Sequence, residues 1–257
     1  MFLKRQKAGL DHMLTPVSIV RYFEFPFVWS CLPKPPGKWL DVGSPRLFSL
    51  YVASRYVSAP IGMINPDAAD ISRTESITAT LGLRNITTEC AGVDALDCRK
   101  AKYDCIWAIS VVEHVSGEYD DTDAVRRMYG ALREGGRLIL TVPVARSFAE
   151  EFRDRDYYGL DQPREDGLYF FQRTYDMEAV RNRLIDPTGE RPAVVRWFGE
   201  KSPGRYAAYV RRWMREGHAC TVDDPREIVD HYQEFASWEE MPGMGVCGVM
   251  IEKTKPG

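Results

Sequence analysis

Short apolar runs alternate with segments of helical periodicity between residues 38 and 145, and this alternation restricts the fold more than any other feature of the sequence. The runs are apolar on both faces, which is typical of strands covered by helices on both sides of a sheet. The pattern therefore predicts parallel βαβ units in an α/β, doubly wound sheet. Predicted strands lie at 39–42, within 59–67, and at 86–89, 103–114 and 137–144, with helices at 47–54, 68–82 and 120–133.

The stretch KWLDVGSPRLFSLYVASR, residues 38–55, is typical of a strand, a tight turn and a helix. Gly43 ends the apolar run, Ser44 is a good helix N-cap, and Pro45 suits the first helical position. In a parallel sheet this turn presents free backbone N–H groups and the positive end of a helix dipole. The stretch therefore predicts a site for a nucleotide-like ligand, with Asp41 adding a carboxylate.

Composition limits the classes of partner and the compartment. A formal net charge of −3 over 257 residues gives no overall attraction to nucleic acid or anionic membranes. The six cysteines are scattered without metal-binding spacing, and two lie in apolar runs, which favours a reducing compartment. The first residues lack an apolar signal region, and no run approaches the roughly 18 apolar residues of a membrane-spanning helix. We therefore expect a cytoplasmic protein without a transmembrane segment.

The flanking regions predict additions to this sheet. Residues 1–37 are rich in aromatic residues and proline, and we expect an N-terminal cap or lid with a helix over 15–24 followed by an extended piece. Residues 38–257 form the main domain. Within it, 146–175 is expected to cover the site for a second ligand, because loops after strand ends carry specificity. Residues 203–240 predict a helical insert rich in arginine and aromatic residues.

The ordered set LDVGSP, MINPD, VDALD, YDCIWAISVVEHV and LREGGRLILTVPV resembles the class I methyltransferases that use S-adenosylmethionine. The resemblance covers roughly residues 38–185 and the closing strand at 246–252. It implies a Rossmann-like, seven-stranded, mostly parallel sheet with the last strand inserted antiparallel. It also implies S-adenosylmethionine as the cofactor and a small-molecule acceptor as the partner.

The resemblance assigns cofactor contacts, with two departures from the family pattern. Ser44, Pro45 and Arg46 replace the usual glycine-rich loop, and Arg46 is then expected to reach the methionyl carboxylate. Asn65 stands where a carboxylate usually binds the ribose hydroxyls, so Asp67, two residues later, is an alternative. The complete set implied for the cofactor is Asp41, Gly43, Ser44, Arg46, Asn65, Asp67, Asp94 with Ala95 at the adenine, and Ser110.

His114 is the predicted general base, since it follows the fourth strand and an imidazole titrates near neutral pH. Glu113 is expected to orient the ring or contact the cofactor. The simpler alternative is a solvent-exposed Glu-His pair that ends a strand. Some relatives have E-x-x-E-H here and bind a divalent ion, but Ser110 occupies the first position, and two remaining ligands rarely hold a metal, so none is predicted.

Tyr157, Tyr158 and Arg173 are the predicted acceptor contacts. The arginines of the 203–240 insert indicate either a solvated helix face or a site for a phosphate-bearing acceptor. The sequence favours O-methylation of a small molecule such as a sugar or polysaccharide precursor. The alternatives are N-methylation of a small amine and a non-catalytic binding protein with this fold; a nucleic-acid substrate is disfavoured because no basic surface or RNA-binding module is evident.

Overall fold

The computed structural model describes residues 18–157, 159, 163–216 and 225–254. The strands are β1 (Trp39–Val42), β2 (Ile61–Ile64), β3 (Ile86–Glu89), β4 (Tyr103–Ile109), β5 (Leu132–Val144), β6 (Ala149–Arg153), β7 (Tyr169–Thr174), β8 (Val194–Glu200), β9 (Tyr232–Phe235) and β10 (Gly245–Glu252). The helices are α1 (Arg21–Cys31), α2 (Arg46–Arg55), α3 (Ala68–Leu81), α4 (Asp121–Ala131), α5 (Met177–Ala179), α6 (Arg205–Glu216) and α7 (Pro225–His231).

The main sheet has the order β3-β2-β1-β4-β5-β10-β8-β9. Strands β3, β2, β1, β4 and β5 pair in parallel, and β10 is antiparallel to both β5 and β8. The Rossmann-like fold with an inserted antiparallel last strand is therefore confirmed. The sheet has one more strand than the predicted seven, because β9 pairs antiparallel with the outer edge of β8. The 203–240 region is accordingly not helical throughout.

Two apolar layers cover the sheet, one on each face. Leu40, Ile106 and Leu140 point into the layer formed with α4 and the segment that follows β7. Trp39 and Trp107, at alternate positions along their strands, point into the opposite layer with α1 and α2. This period of two is the consequence of strand geometry, and it explains why the parallel strands are apolar throughout.

The N-terminal segment differs from its prediction. Helix α1 continues through Pro26 to Cys31, where the sequence predicted an extended piece after residue 24; residues 1–17 lie outside the described residues. Phe23 and Phe27 are buried on the sheet, and Phe23 stacks on Phe198 at 5.3 Å between ring centroids. This packing holds the helix together although proline removes one backbone donor.

Two further regions bear on the fold. Helix α4 ends earlier than predicted and β5 begins at Leu132. The pairing of β5 with β4 is irregular between Leu132 and Arg137, and Gly135 in this stretch takes a φ of +73°, which glycine adopts readily. Strands β6 and β7 form a separate antiparallel hairpin, here called the cover hairpin, within the segment 146–175 that was predicted to cover the second ligand. Among the described residues, no helix has both the length and the apolar character needed to cross a membrane.

Candidate active site

The turn between β1 and α2 lies at the carboxyl edge of the parallel strands. Gly43 has a φ of +61°, and its N–H donates to the carbonyl of Ile64 at 2.8 Å. A Cβ at this position would lie 3.1 Å from Cγ1 of Val111, which follows β4. Glycine is therefore required here by both conformation and space.

Ser44 has a role other than the predicted one. The N-cap of α2 is Pro45, and no side chain caps the helix, so the prediction that Ser44 is the N-cap is wrong. Ser44 is buried instead, and its Oγ accepts a hydrogen bond from the Ile109 N–H at 3.0 Å. It therefore fastens the turn to the end of β4, a long-range contact that local N-cap preferences do not contain.

Asp41 is fully buried beneath this turn. Its carboxylate accepts hydrogen bonds from the Ser44 N–H at 3.0 Å and from the Ser49 hydroxyl, and Ser49 in turn accepts from Trp107 Nε1 at 3.3 Å. Desolvation raises the pKa of Asp41 to about 6, although these hydrogen bonds act in the opposite direction. Asp41 thus fixes the turn after β1 through its hydrogen bond from the Ser44 N–H.

The Asn variant Asp41→Asn tests this burial. Folding raises the pKa of Asp41 from 3.8 to about 6, so the folded state binds the proton of Asp41 more tightly than the unfolded state does. This stabilises the folded protein fully below pH 3.8, and the stabilisation is lost as the pH rises through about 6. Asn retains an acceptor oxygen but does not ionise. We expect the stability of the variant relative to wild type to increase between about pH 4 and pH 7, by on the order of 3 kcal/mol. Urea denaturation across this range measures the difference; a constant difference contradicts the prediction.

A polar network joins the ends of β1 and β2. Arg46 forms an ion pair with Asp70, and Asn65 Nδ2 donates to the same carboxylate at 3.2 Å. Asp67 caps α3 by accepting from the Ala69 and Asp70 N–H groups. Within the described part of the chain, the buried Nε of Arg46 has no hydrogen-bond partner. The network therefore leaves one buried donor unsatisfied.

Asp94 and Ala95 lie in a 3-10 turn, Val93–Ala95, shortly after β3. Both are exposed, and the Arg127 guanidinium donates to the Asp94 carbonyl at 3.0 Å. The Asp94 carboxylate folds over Gly92, where a Cβ would be only 2.3 Å from its Oδ1. Their predicted contact with adenine stays a prediction.

Helix α1 contributes a buried carboxylate that sequence reasoning missed. Glu24 accepts hydrogen bonds from the Ser110 hydroxyl and, at 2.8 Å, from Thr141 Oγ1, and it forms an ion pair with Arg21. Thr141 Oγ1 also accepts from the Ser110 N–H at 3.1 Å. Ser110 has a φ of +49°, which is uncommon for a residue other than glycine. The sequence feature that could have indicated this buried carboxylate is a glutamate within a largely aromatic segment, RYFEFPFVW.

Glu113 lies in the 3-10 turn Val112–His114 that follows β4. It is buried, and its Oε2 has no hydrogen-bond partner in the described ranges. Burial, with a further contribution from Glu24, raises the pKa of Glu113 well above its ordinary value. A buried carboxyl oxygen without a partner is energetically costly unless a ligand supplies one.

His114 is oriented by the cover hairpin. Its Nδ1 lies 2.7 Å from the Phe171 carbonyl oxygen, and since a carbonyl only accepts, Nδ1 carries the proton. The other nitrogen, Nε2, then has the lone pair, and it lies 3.9 Å from Glu113 Oε1. Burial lowers the pKa of His114, so the imidazole is neutral at physiological pH and able to take a proton.

The three residues predicted to contact the acceptor differ in their surroundings. Arg173 is buried and donates to Glu150 at 3.1 Å and to the Val115 carbonyl at 2.6 Å, so it holds β7 against the segment after β4. Tyr157 packs against Phe171 at 5.4 Å between ring centroids. Tyr158 lies outside the described residues. Contact of these side chains with an acceptor stays a prediction.

Among the described residues, no group of three or more His, Cys, Asp or Glu side chains is placed to hold a metal ion. Glu113 and His114 are the two neighbouring side chains that the sequence pattern offered as metal ligands.

The sheet order and the side chains gathered at the carboxyl ends of β1, β2 and β4 define the class of protein, a Rossmann-like methyltransferase fold. A family model described as a methyltransferase domain matches residues 21–185, more than half of the chain. The chain belongs to this methyltransferase-domain family. The match begins at residue 21 and so includes α1.

Solved structures extend the likeness to most of the chain. The [4+2]-cyclase SpnF has a TM-score of 0.57 at 18% identity, covering 90% of this chain and 80% of that one. Geranyl diphosphate C-methyltransferase from Streptomyces coelicolor A3(2), in complex with Mg²⁺, geranyl diphosphate and S-adenosyl-L-homocysteine, has a TM-score of 0.56 at 13% identity, covering 90% and 76%. Coclaurine N-methyltransferase bound to N-methylheliamine and S-adenosylhomocysteine has a TM-score of 0.55 at 13% identity, covering 84% and 67%. At such identities the likeness is one of fold. A search of curated protein sequences found no match.

Proposed function

We propose that the protein transfers a methyl group from S-adenosylmethionine to an oxygen atom of a small-molecule acceptor. The observation that carries this proposal is His114, a neutral imidazole at the end of β4 whose Nδ1 proton is fixed by the Phe171 carbonyl. An alcohol needs such a base, since its neutral oxygen is a poor nucleophile. Membership of the methyltransferase-domain family supports the reaction class.

The cofactor would lie across the turn after β1. Gly43 supports this placement, because the shape of the turn depends on its positive φ and on its close approach to Val111. The partly exposed Arg46 guanidinium suits the methionyl carboxylate, and Glu113 places a carboxyl group beside His114. The bound cofactor supplies a methyl group on a sulfonium, which leaves as a neutral thioether. The protein's contribution is then chiefly proximity and orientation.

In this proposal His114 Nε2 takes the proton of the acceptor hydroxyl as the oxygen forms its bond to the methyl carbon. The Nδ1–H bond to Phe171 keeps the ring in place and remains satisfied when the ring becomes charged. The hairpin β6–β7 brings Phe171 over the ring and so helps to exclude water. A sugar or polysaccharide precursor as acceptor, and a cytoplasmic location, stay predictions.

A second candidate is N-methylation of an amine. It is favoured by one observation, the two buried carboxyl groups of Glu24 and Glu113, which are close enough for the first to raise the pKa of the second. Such a pair would bind the amine in its protonated form and take its proton, so that the neutral nitrogen attacks the methyl carbon. An amine would depend less on His114 than an alcohol, and this difference separates the two candidates.

Two glycine variants with matched backbone strain test cofactor binding. Gly43→Ala and Gly82→Ala both place a side chain at positive φ, +61° and +70°, and each is expected to cost about 1–2 kcal/mol of stability. A Cβ at residue 82 meets open space at the end of α3, whereas one at residue 43 meets Val111 beside the proposed site. We expect Gly43→Ala to weaken binding of S-adenosylhomocysteine about tenfold or more, and Gly82→Ala to leave it unchanged.

Isothermal titration calorimetry with S-adenosylhomocysteine provides the measurement. If wild-type protein shows no binding at millimolar ligand, the proposed function is wrong. Equal weakening by both glycine variants would show that the turn after β1 is not the binding site.

A further inference from the structure

We propose that the groove between the cover hairpin and helix α6 binds an oxyanion group, a phosphate or a carboxylate, carried by the acceptor. This inference rests on the proposed function and names a chemical feature of its substrate. The groove has a volume of about 600 Å³ and lies between residues 151–157 and the second half of α6. Nothing in the reaction chemistry at His114 requires it.

The charged side chains of the groove favour an anion. Arg153, Arg211 and Arg215 line it, against the two carboxylates Glu151 and Asp154. Arg153 forms its ion pair with Glu151 at 2.8 Å, so that carboxylate is already matched within the protein. Guanidinium groups bind phosphate and carboxylate through paired hydrogen bonds, which gives a ligand of this chemistry both affinity and orientation.

Arg211 is the clearest candidate for ligand contact. It is exposed to the groove, and the described part of the structure contains no hydrogen bond or ion pair to it. Arg215 lies four residues later, one turn along the same side of the helix. Its positive charge therefore adds to that of Arg211 at the groove.

Two residues of the groove pack on Phe171, which contacts the proposed base. The Arg153 guanidinium lies 3.6 Å from the centroid of the Phe171 ring, and the Tyr157 ring lies 5.4 Å from it. The Phe171 ring in turn lies 5.5 Å from the His114 ring between centroids, and the Phe171 carbonyl accepts a hydrogen bond from the His114 Nδ1–H. An acceptor anchored in the groove by an oxyanion would therefore lie beside the side chains that pack on Phe171, the residue that orients the proposed base.

The position of α6 is fixed by a buried side chain. Glu200, at the end of β8, accepts hydrogen bonds from the backbone N–H groups of Gly204 at 3.1 Å, Tyr206 at 2.8 Å and Met244 at 2.9 Å. A carboxylate at a helix start also interacts favourably with the helix dipole. The groove is thus built on an anchored helix.

The test uses three aromatic probes of similar size: phenyl phosphate, benzoate and benzyl alcohol. Each is titrated into wild-type protein saturated with S-adenosylhomocysteine, with binding followed by calorimetry or ligand-observed NMR. We expect the two anions to bind more tightly than the alcohol, and their relative affinities to identify phosphate or carboxylate as the preferred group. Arg211→Ala and Arg215→Ala should each weaken anion binding about tenfold, and Arg211→Lys should weaken it less.

Arg126→Ala is the matched control, because Arg126 is an exposed helical arginine on α4 that does not line the groove. It should leave anion binding unchanged. The inference is overturned if neither anion binds wild type, if benzyl alcohol binds as tightly as the anions, or if the Arg211 and Arg215 variants bind like wild type. Retained S-adenosylhomocysteine binding in those cases would leave the proposed function intact, whereas its absence in wild type would remove both.

Discussion

Replacement of His114 by Ala is expected to lower the rate of methyl transfer by about 100- to 10,000-fold, the range typical of a lost general base. The loss should appear in kcat, since the imidazole acts on the proton that leaves during reaction. Binding of S-adenosylhomocysteine should stay close to that of wild type. The rate is measured as transfer of a labelled methyl group from S-adenosylmethionine into a metabolite extract, followed by isolation of the labelled product.

The pH dependence provides a second readout of the same residue. Burial lowers the pKa of His114 from its ordinary value of 6.5, so the base stays unprotonated further into the acid range. The wild-type rate should therefore hold through neutral pH and fall only below that value, and the fall should be absent from the residual activity of the variant. NMR titration of the imidazole resonances measures the pKa directly.

His231→Ala is the matched control, because His231 lies at the end of α7 and not at the carboxyl end of β4. It should leave the rate unchanged. If His114→Ala retains most of the activity, O-methylation by a histidine base is wrong and N-methylation is favoured. If the His114 pKa is at or above 6.5, the structural argument for a neutral imidazole is contradicted.

Glu24→Ala is expected to lower the free energy of unfolding by about 3 kcal/mol or more, the cost of removing one member of a buried ion pair. Its carboxylate has no exposure, and it satisfies the hydroxyl groups of Ser110 and Thr141 as well as Arg21. Alanine would leave all three groups short of a partner in a poorly solvated place. Urea denaturation at neutral pH measures the effect.

Two further variants sharpen this measurement. Glu178→Ala removes an exposed carboxylate that accepts a long hydrogen bond, 3.4 Å, from Asn182 Nδ2. This variant should change the free energy of unfolding by no more than about 0.5 kcal/mol. Glu24→Gln keeps an acceptor for Ser110 and Thr141 but loses the charge opposite Arg21, and should fall between the two. Equal effects of Glu24→Ala and Glu178→Ala would contradict the buried role of Glu24.

Much of the sheet could be predicted from sequence, because strand and helix periodicity are local properties. The runs around Trp39, Trp107 and Leu140 are apolar on both faces, and only a sheet covered on both sides buries such runs. The position of His114 could be predicted in the same way. The apolar run of β4 ends in the polar pair Glu113-His114, which marks the carboxyl end of the strand. Strand β9 was missed because four residues with two exposed polar side chains carry little periodic signal.

The sequence by itself thus determined the alternation of elements, the parallel sheet and the edge at which His114 and Gly43 lie. Only the tertiary structure decided that Ser44 binds β4 instead of capping α2, that Glu24 reaches Ser110 and Thr141, and that the arginines of α6 face the cover hairpin. The physical reason is that periodicity reports which face of an element is apolar, whereas the partner of a polar side chain depends on chain segments as far apart as residues 24 and 141. The raised pKa of Asp41 and the lowered pKa of His114 follow from the same cause, since desolvation exists only once the chain has packed around them.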